Sequence, residues 1–237
     1  MKQMLIYDTV VPVTRDKHAK TSLKSTGKYD FARQTNSVPL VVGEFAPTAM
    51  HYAIIFGQGG GGPIPAALLG GRDSENAFVA ADGSWSAPYI PAFIRRYPFV
   101  FGTDEKNETF TLMIDEGFEG LNEAGKGERL FDADGEQTVF LKNTVSFLSE
   151  YQGQVQATQA FARKLTDLGL LDGAEAHLPT PAEPERRVGG FQIVSREKLR
   201  ALPADKLAEL HASGELELIY MHLLSLNNLQ RLQGMAG

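Results

Sequence analysis

Cysteine is absent from this chain of 237 residues. That excludes disulfides, thiol nucleophiles and thiolate metal sites, and it is compatible with a reducing cytoplasm. Long apolar runs are also missing. No stretch reaches the ~18 apolar residues that suggest a membrane-spanning helix, so a soluble protein is expected. A basic excess is lacking as well: 23 Lys and Arg face 29 Asp and Glu, a formal net charge of −6. This argues against a nucleic-acid footprint, which needs a basic face. Catalytic signatures are scarce. The five histidines, His18, His51, His177, His211 and His222, are scattered, with no HExxH spacing, and no GxSxG elbow occurs. The sequence therefore assigns no catalytic residue, no metal ligand and no cofactor. His222, within a late helical pattern, reads as a packed or capping residue rather than a ligand.

Tryptophan is nearly absent too, and its single occurrence marks the stretch around which the chain is organised. Trp85 to Gly102 holds that Trp, two of seven Tyr, three of fourteen Phe and the pair Arg95–Arg96. Asp82-Gly83-Ser84 signals a turn. Pro88 and Pro91 suit the first turn of a helix. Ile90, Phe93, Ile94 and Tyr97 then share one face, and Pro98 ends the helix. Phe99 to Phe101 suits a core strand. The Arg pair at the helix C-terminus has a structural explanation in the macrodipole. It has a functional one as a clamp on an anion. Trp85, Tyr89, Arg95, Arg96 and Tyr97 are the candidate binding residues.

Taken in order, the N-terminus does not read as a secretory signal, because Asp8 and Pro12 interrupt its apolar run. A cytoplasmic location is expected, with attachment to a surface component left open. Residues 14–36 are polar and read as a loop or extended arm. Short strands are expected at Val38 to Phe45, Tyr52 to Phe56, Ala66 to Gly70, Ala77 to Ala81, Pro98 to Phe101 and Thr109 to Asp115. Their close spacing predicts a largely antiparallel sheet. Gly57 to Pro63 contains four consecutive glycines. The prolines after it and the missing Gly-Lys-Ser/Thr argue for a flexible hairpin connection over a phosphate or dinucleotide loop. Asp132-Ala133-Asp134-Gly135 reads as a turn, since Leu141 stands where a calcium loop needs Glu.

A helical pattern covers residues 136–168, with Phe140, Phe147, Tyr151, Thr158, Phe161 and Leu165 on one stripe and a bend or break expected at Gly153. The Pro-rich stretch 178–184 reads as a connector to a C-terminal unit. That unit is a strand at Phe191 to Val194, a helix capped by Ser195, a helix from Pro203 to Gly214, and an amphipathic helix from Leu216 to Leu232. The expected architecture is α+β: a largely antiparallel sheet of short strands packed by a long helix, with a small helical C-terminal unit. The expected divisions are an arm at 1–36, a core at 37–177, the connector at 178–184 and the C-terminal unit at 185–237, docked on the core. A protein partner or a homodimer would use the C-terminal helices, whose apolar face is large for so small a unit.

The whole-chain pattern resembles the soluble SapC family of bacterial proteins. The likeness runs over about residues 36–233 and is carried by PAALLGG (65–71), ENAFV (75–79), DGSWSAPYIPAFIRRYPFVFG (82–102), GERLFDADGEQT (127–138) and the segment 189–232. The resemblance implies a non-enzymatic accessory or binding protein linked to surface-layer assembly or outer-membrane nutrient uptake. It supplies no catalytic residues. Members are often encoded near TonB-dependent receptors, flavin-dependent tryptophan halogenases and cupin-like proteins. The alternative is therefore an enzyme or enzyme subunit, working with halogenase or cupin-like partners, with a small-molecule pocket near Trp85 and Arg95–Arg96. A peptide-transporter permease carries the same name, but this chain has no spans to match it.

Overall fold

The structure is a computed structural model that describes residues 5–103, 109–179 and 183–235. The first half begins with β1 (Val10–Pro12), α1 (Arg15–His18), β2 (Ser22–Leu23), β3 (Ser37–Pro39), α2 (Phe45–Ala49), β4 (Ala53–Gly59) and β5 (Gly62–Leu68). It continues with α3 (Ala92–Arg95), β6 (Phe99–Thr103), β7 (Phe110–Asp115), β8 (Leu121–Asn122) and β9 (Glu128–Arg129). The long α4 (Val139–Asp167) follows, then β10 (Leu171–His177), β11 (Arg187–Val194), α5 (Arg196–Arg200), α6 (Ala204–Ala212), α7 (Glu215–Ser225) and α8 (Asn228–Met235).

The chain is an α+β protein. Among the described residues three antiparallel sheets form, with strand orders β10-β11-β4-β5-β3, β1-β7-β6 and β8-β2-β9. In β4, residues Ala53 to Phe56 are buried without alternation, so both faces of this strand are covered. The β4–β5 pairing runs on to Gly59 opposite Gly62, leaving Gly60–Gly61 as the turn. Gly62 has φ +121°, a conformation that side chains disfavour. The Gly-rich segment is thus a hairpin, as its sequence suggests. Only Ala66 to Leu68 of β5 pair with β3. The Pro63–Pro65 end has no β3 partner, and proline is tolerated where a ladder is interrupted.

Helix α4 begins where Thr138 caps the Leu141 amide. Its 29 residues span about 44 Å at 1.5 Å per residue, enough to serve two cores. Leu141 and Leu148 join Phe99, Ile114, Leu130 and Phe131 in one. Phe161 and Leu165 join Phe45, Ile54, Phe56 and Leu223 in the other. Gly153 neither bends out of the assignment nor ends it.

Several expectations need correction. The segment expected as an arm pairs its strands instead: β1 lies on β7, and β2 sits between β8 and β9. Residues 1–4 of that arm lie outside the described residues. Ala77 to Ala81 forms no strand, only the bridge Val79 to Trp85. The helix expected from Pro88 shrinks to the single turn α3, with Pro91 as its cap. Pro91 is extended at ψ 142°, so no helix passes through it. The Pro-rich stretch does not join the long helix to a separate unit. It lies between β10 and β11, which pair with each other, and its residues 180–182 fall outside the described part. Strand β11 in turn pairs with β4, so the segment after the connector starts inside the main sheet. The pattern at 216–232 divides into α7 and α8, and just after the break the Asn228 side-chain Nδ2 donates to the carbonyls of Ala49 (2.8 Å) and Tyr52 (3.1 Å).

Among the described residues, no helix is long and apolar enough to cross a membrane. On α7, Ile219 and Leu223 are buried, whereas Tyr220 and Leu224 are exposed.

Candidate functional site

The turn that includes α3 is built on a carboxylate. Glu44, buried at 5% exposure, follows the apolar segment 38–42. Its Oε1 accepts from the Tyr89 hydroxyl (2.7 Å) and the Ala92 amide (2.6 Å), and its Oε2 from the Val41 amide (3.2 Å). Three donors make this buried charge tolerable. They also fix Tyr89 and the start of α3 against the segment after β3. Burial first, then the adjacent Glu44 charge, pushes the Tyr89 phenol well above its ordinary range.

One turn later the two arginines part. Arg95 is exposed; its Nε donates to the Ile90 carbonyl (2.9 Å), and its guanidinium lies over the rings of Phe147 (5.2 Å) and Tyr89 (5.8 Å). Arg96 is 5% exposed and sits among three rings, 4.1 Å from Phe93, 5.3 Å from Tyr151 and 5.7 Å from Tyr7. Its Nε and Nη2 are buried and meet no hydrogen-bond partner among the described residues. Arg96 also forms no ion pair among the described residues. Cation–π contacts offset part of the desolvation of a guanidinium, on the order of 1–2 kcal/mol, but replace none of its hydrogen bonds.

Arg96 forms part of the wall of a cavity of about 190 Å³ between α4, the Pro63–Pro65 end of β5 and the segment 39–41. Leu40, Val41, Phe93 and Val155 supply apolar walls, and Tyr151 and Thr158 bring polar groups. The Thr158 hydroxyl is already engaged: it donates to the Gln154 carbonyl (2.7 Å) and accepts from the Val42 amide (3.0 Å). Burial pushes the Tyr151 phenol up to about 12, against the lowering effect of Arg96. Tyr7 is likewise held at about 12 by burial, opposed by Arg96, and donates its hydroxyl to the Phe99 carbonyl (2.8 Å). A shallower cleft of about 360 Å³ lies on the other side of Val41 and Tyr151, with Glu44, Tyr89 and Arg95 in its walls.

The five candidates of the sequence therefore do not form one site. Arg96 reaches the cavity. Tyr89 and Arg95 belong to the neighbouring cleft. Trp85 donates from Nε1 to the Tyr52 hydroxyl (2.8 Å) and stacks on Phe78, within the core layer. Tyr97 stacks on Phe31 at 4.0 Å, and its phenol is pushed up by burial and by the Asp115 carboxylate beside it. The macrodipole account of the Arg pair gives way as well, since α3 is one turn long. Glu44, Tyr7 and Tyr151 were missed as site residues. A single carboxylate ending an apolar run was a readable signal for Glu44, whereas Tyr151 looked like any other member of the long helical stripe.

Among the described residues, no group of three or more His, Asp and Glu is arranged to hold a metal ion. The SapC family model matches residues 13–232, reaching further toward the N-terminus than the motif likeness. No match was found among curated proteins or among solved structures.

Proposed function

The chain belongs to the SapC family, and from that premise we propose that it is a non-enzymatic binding protein that holds a small organic molecule in the cavity beside α4. The observation that carries this reading is the buried Arg96 in a mostly apolar wall, with two guanidinium nitrogens lacking partners among the described residues. Ligand pockets combine apolar walls with a few polar groups of this kind. Among the described residues the walls contain no histidine and no carboxylate; of their two hydroxyls, that of Thr158 is committed to the backbone and that of Tyr151 is a phenol held protonated by burial. This favours holding a molecule over transforming it, because acid–base or nucleophilic chemistry needs a paired, activated group. An accessory role in surface-layer assembly or nutrient uptake is the setting that the family resemblance suggests for such a protein.

The test is a thermal-shift screen of small organic acids, amides and alcohols against the whole chain, repeated with Val155→Phe. The larger ring at 155 fills the cavity from α4 without altering Arg96. The expected outcome is a concentration-dependent rise in Tm for some compounds with the wild type, absent in the folded variant. No rise for any compound would sink the reading.

A second reading, contact between two copies through the C-terminal helices, is favoured by the exposure of Tyr220 (55%) and Leu224 (62%) on α7 and of Met50 (68%) at the end of the adjacent α2. Light scattering over a range of concentrations tests it; a monomer mass throughout removes it.

A further inference from the structure

We propose that the cavity takes a carboxylate with a compact apolar body about the size of a benzoate, its anionic head at Arg96 and its body against Leu40, Val41, Phe93 and Val155; this rests on the binding reading above. The charge argument comes first. A buried guanidinium is costly unless an anion or several acceptors meet it. The two buried carboxylates of this region are already committed. Glu44 receives the Val41 and Ala92 amides and the Tyr89 hydroxyl. Asp115, fully buried, receives the amides of Asp8 (2.7 Å), Thr9 (3.0 Å) and Gly117 (2.9 Å). Each serves as an anchor for its own loop, so Arg96 is left as a cation in a cavity wall, with its Nε and Nη2 unpaired among the described residues and Tyr7 as its polar neighbour. A ligand carboxylate supplies both the charge and the acceptors, and Arg is the side chain best matched to it.

The size argument comes second. The cavity measures about 190 Å³, and an apolar protein cavity of about 150 Å³ holds a benzene ring. Room therefore exists beside Arg96 for one ring or a short branched chain. The rings of Phe93 and Tyr151 that surround the guanidinium also keep water from competing for it, which strengthens a charge-assisted bond.

The test is isothermal titration of the whole chain with benzoate and 4-methylbenzoate, and with the neutral isosteres benzamide and benzyl alcohol. The expected result is that the carboxylates bind about 10- to 100-fold more tightly than their isosteres, the range for one charged hydrogen-bonded partner. Arg96→Gln should erase that preference, and Val155→Phe should abolish binding of all four compounds. The wild-type comparison needs no variant, so a poorly folded Arg96→Gln protein does not spoil the test. Equal binding of acid and amide by the wild type would overturn the carboxylate assignment while leaving the binding reading intact. No heat with any compound, together with no thermal shift in the broader screen, would overturn both.

Discussion

The region around α7 and the region around α3 both hold inward polar side chains, and they use them in opposite ways. His222, Ser225 and Asn228 each close a gap in the backbone. His222 Nε2 accepts from the Val194 amide (3.0 Å). Ser225 Oγ accepts from the Ile54 amide (2.9 Å) and donates to the His222 carbonyl (2.6 Å), and Asn228 meets two carbonyls after α2. These side chains join α7 and α8 to β4, β11 and α2. Arg96 closes no such gap. It is buried like His222 and Ser225, yet its Nε and Nη2 serve neither backbone nor carboxylate among the described residues. A buried polar group that satisfies the backbone is explained by the fold. His222 Nδ1 and two Arg186 nitrogens are orphaned as well, but among these only Arg96 lines the cavity beside α4, where a ligand can meet it.

This contrast can be broken or sharpened by experiment. The largest effect is expected for His222→Ala. It removes a ring packed 5.1 Å from Phe56 and leaves the Val194 amide without its acceptor. The cavity and the unpaired amide together should cost about 3–4 kcal/mol. Chemical denaturation measures this, and a loss below about 1 kcal/mol would mean that the residue is no clamp.

Next comes pH. Burial, reinforced by Arg196, holds the His222 imidazole down at about 4, from an ordinary value of 6.5. With its folded value depressed, the unfolded chain binds more protons between those values. The stabilisation is complete above about pH 6.5 and is lost as pH falls toward about 4, by up to about 3 kcal/mol. Denaturation midpoints of wild type and His222→Gln across this window should converge on acidification. Parallel curves would show that this residue does not set the acid limit.

Arg96→Met should behave unlike either. The variant keeps apolar bulk among the three rings and removes a charge with no ion-pair partner among the described residues, so stability should fall by no more than about 1 kcal/mol, or rise. Small-anion binding should disappear at the same time. A loss of several kcal/mol would make Arg96 a structural residue after all, and the contrast with His222 would collapse. Arg95→Ala is expected to have the smallest effect, within about 0.5 kcal/mol, with ligand affinity unchanged, as usual for an exposed side chain. Titration of both arginine variants separates the neighbours cleanly. A larger effect at 95 than at 96 would reverse the assignment.

Much of the fold was legible because local chemistry and tertiary packing agreed. The glycine run between apolar segments became the β4–β5 turn. The 3.6-residue spacing from Phe140 to Leu165 became α4. Pro203 and Gly214 bounded α6, with Gly214 left-handed at φ +76°. Strand β10 was not legible. Its residues, LDGAEAH, lack the β-branched and aromatic types that announce a strand, and it forms by lying along β11 at the sheet edge. Nor was the break between α7 and α8, since apolar spacing continues across it and the Asn228 side-chain bonds to residues 49 and 52 beside it are long-range. For the candidate site, the sequence grouped Arg95 and Arg96 with Trp85 and Tyr97, whereas the structure puts Arg96 in the wall beside α4, Arg95 in clefts it shares with Tyr89 and with Tyr97, and Trp85 against Tyr52 and Phe78.

The sequence by itself determined that this is an α+β protein with mainly local antiparallel pairing, a long amphipathic helix, no thiol chemistry and no membrane-crossing helix signal. Those properties depend on composition, turn residues and periodicity, which a chain carries wherever its parts end up. Only the tertiary structure decided that Arg95 faces solvent and Arg96 an apolar cavity. Adjacent residues on one helical turn point about 100° apart. Which direction meets water depends on where Tyr7, Pro63–Pro65 and Tyr151 are brought, from three distant parts of the chain.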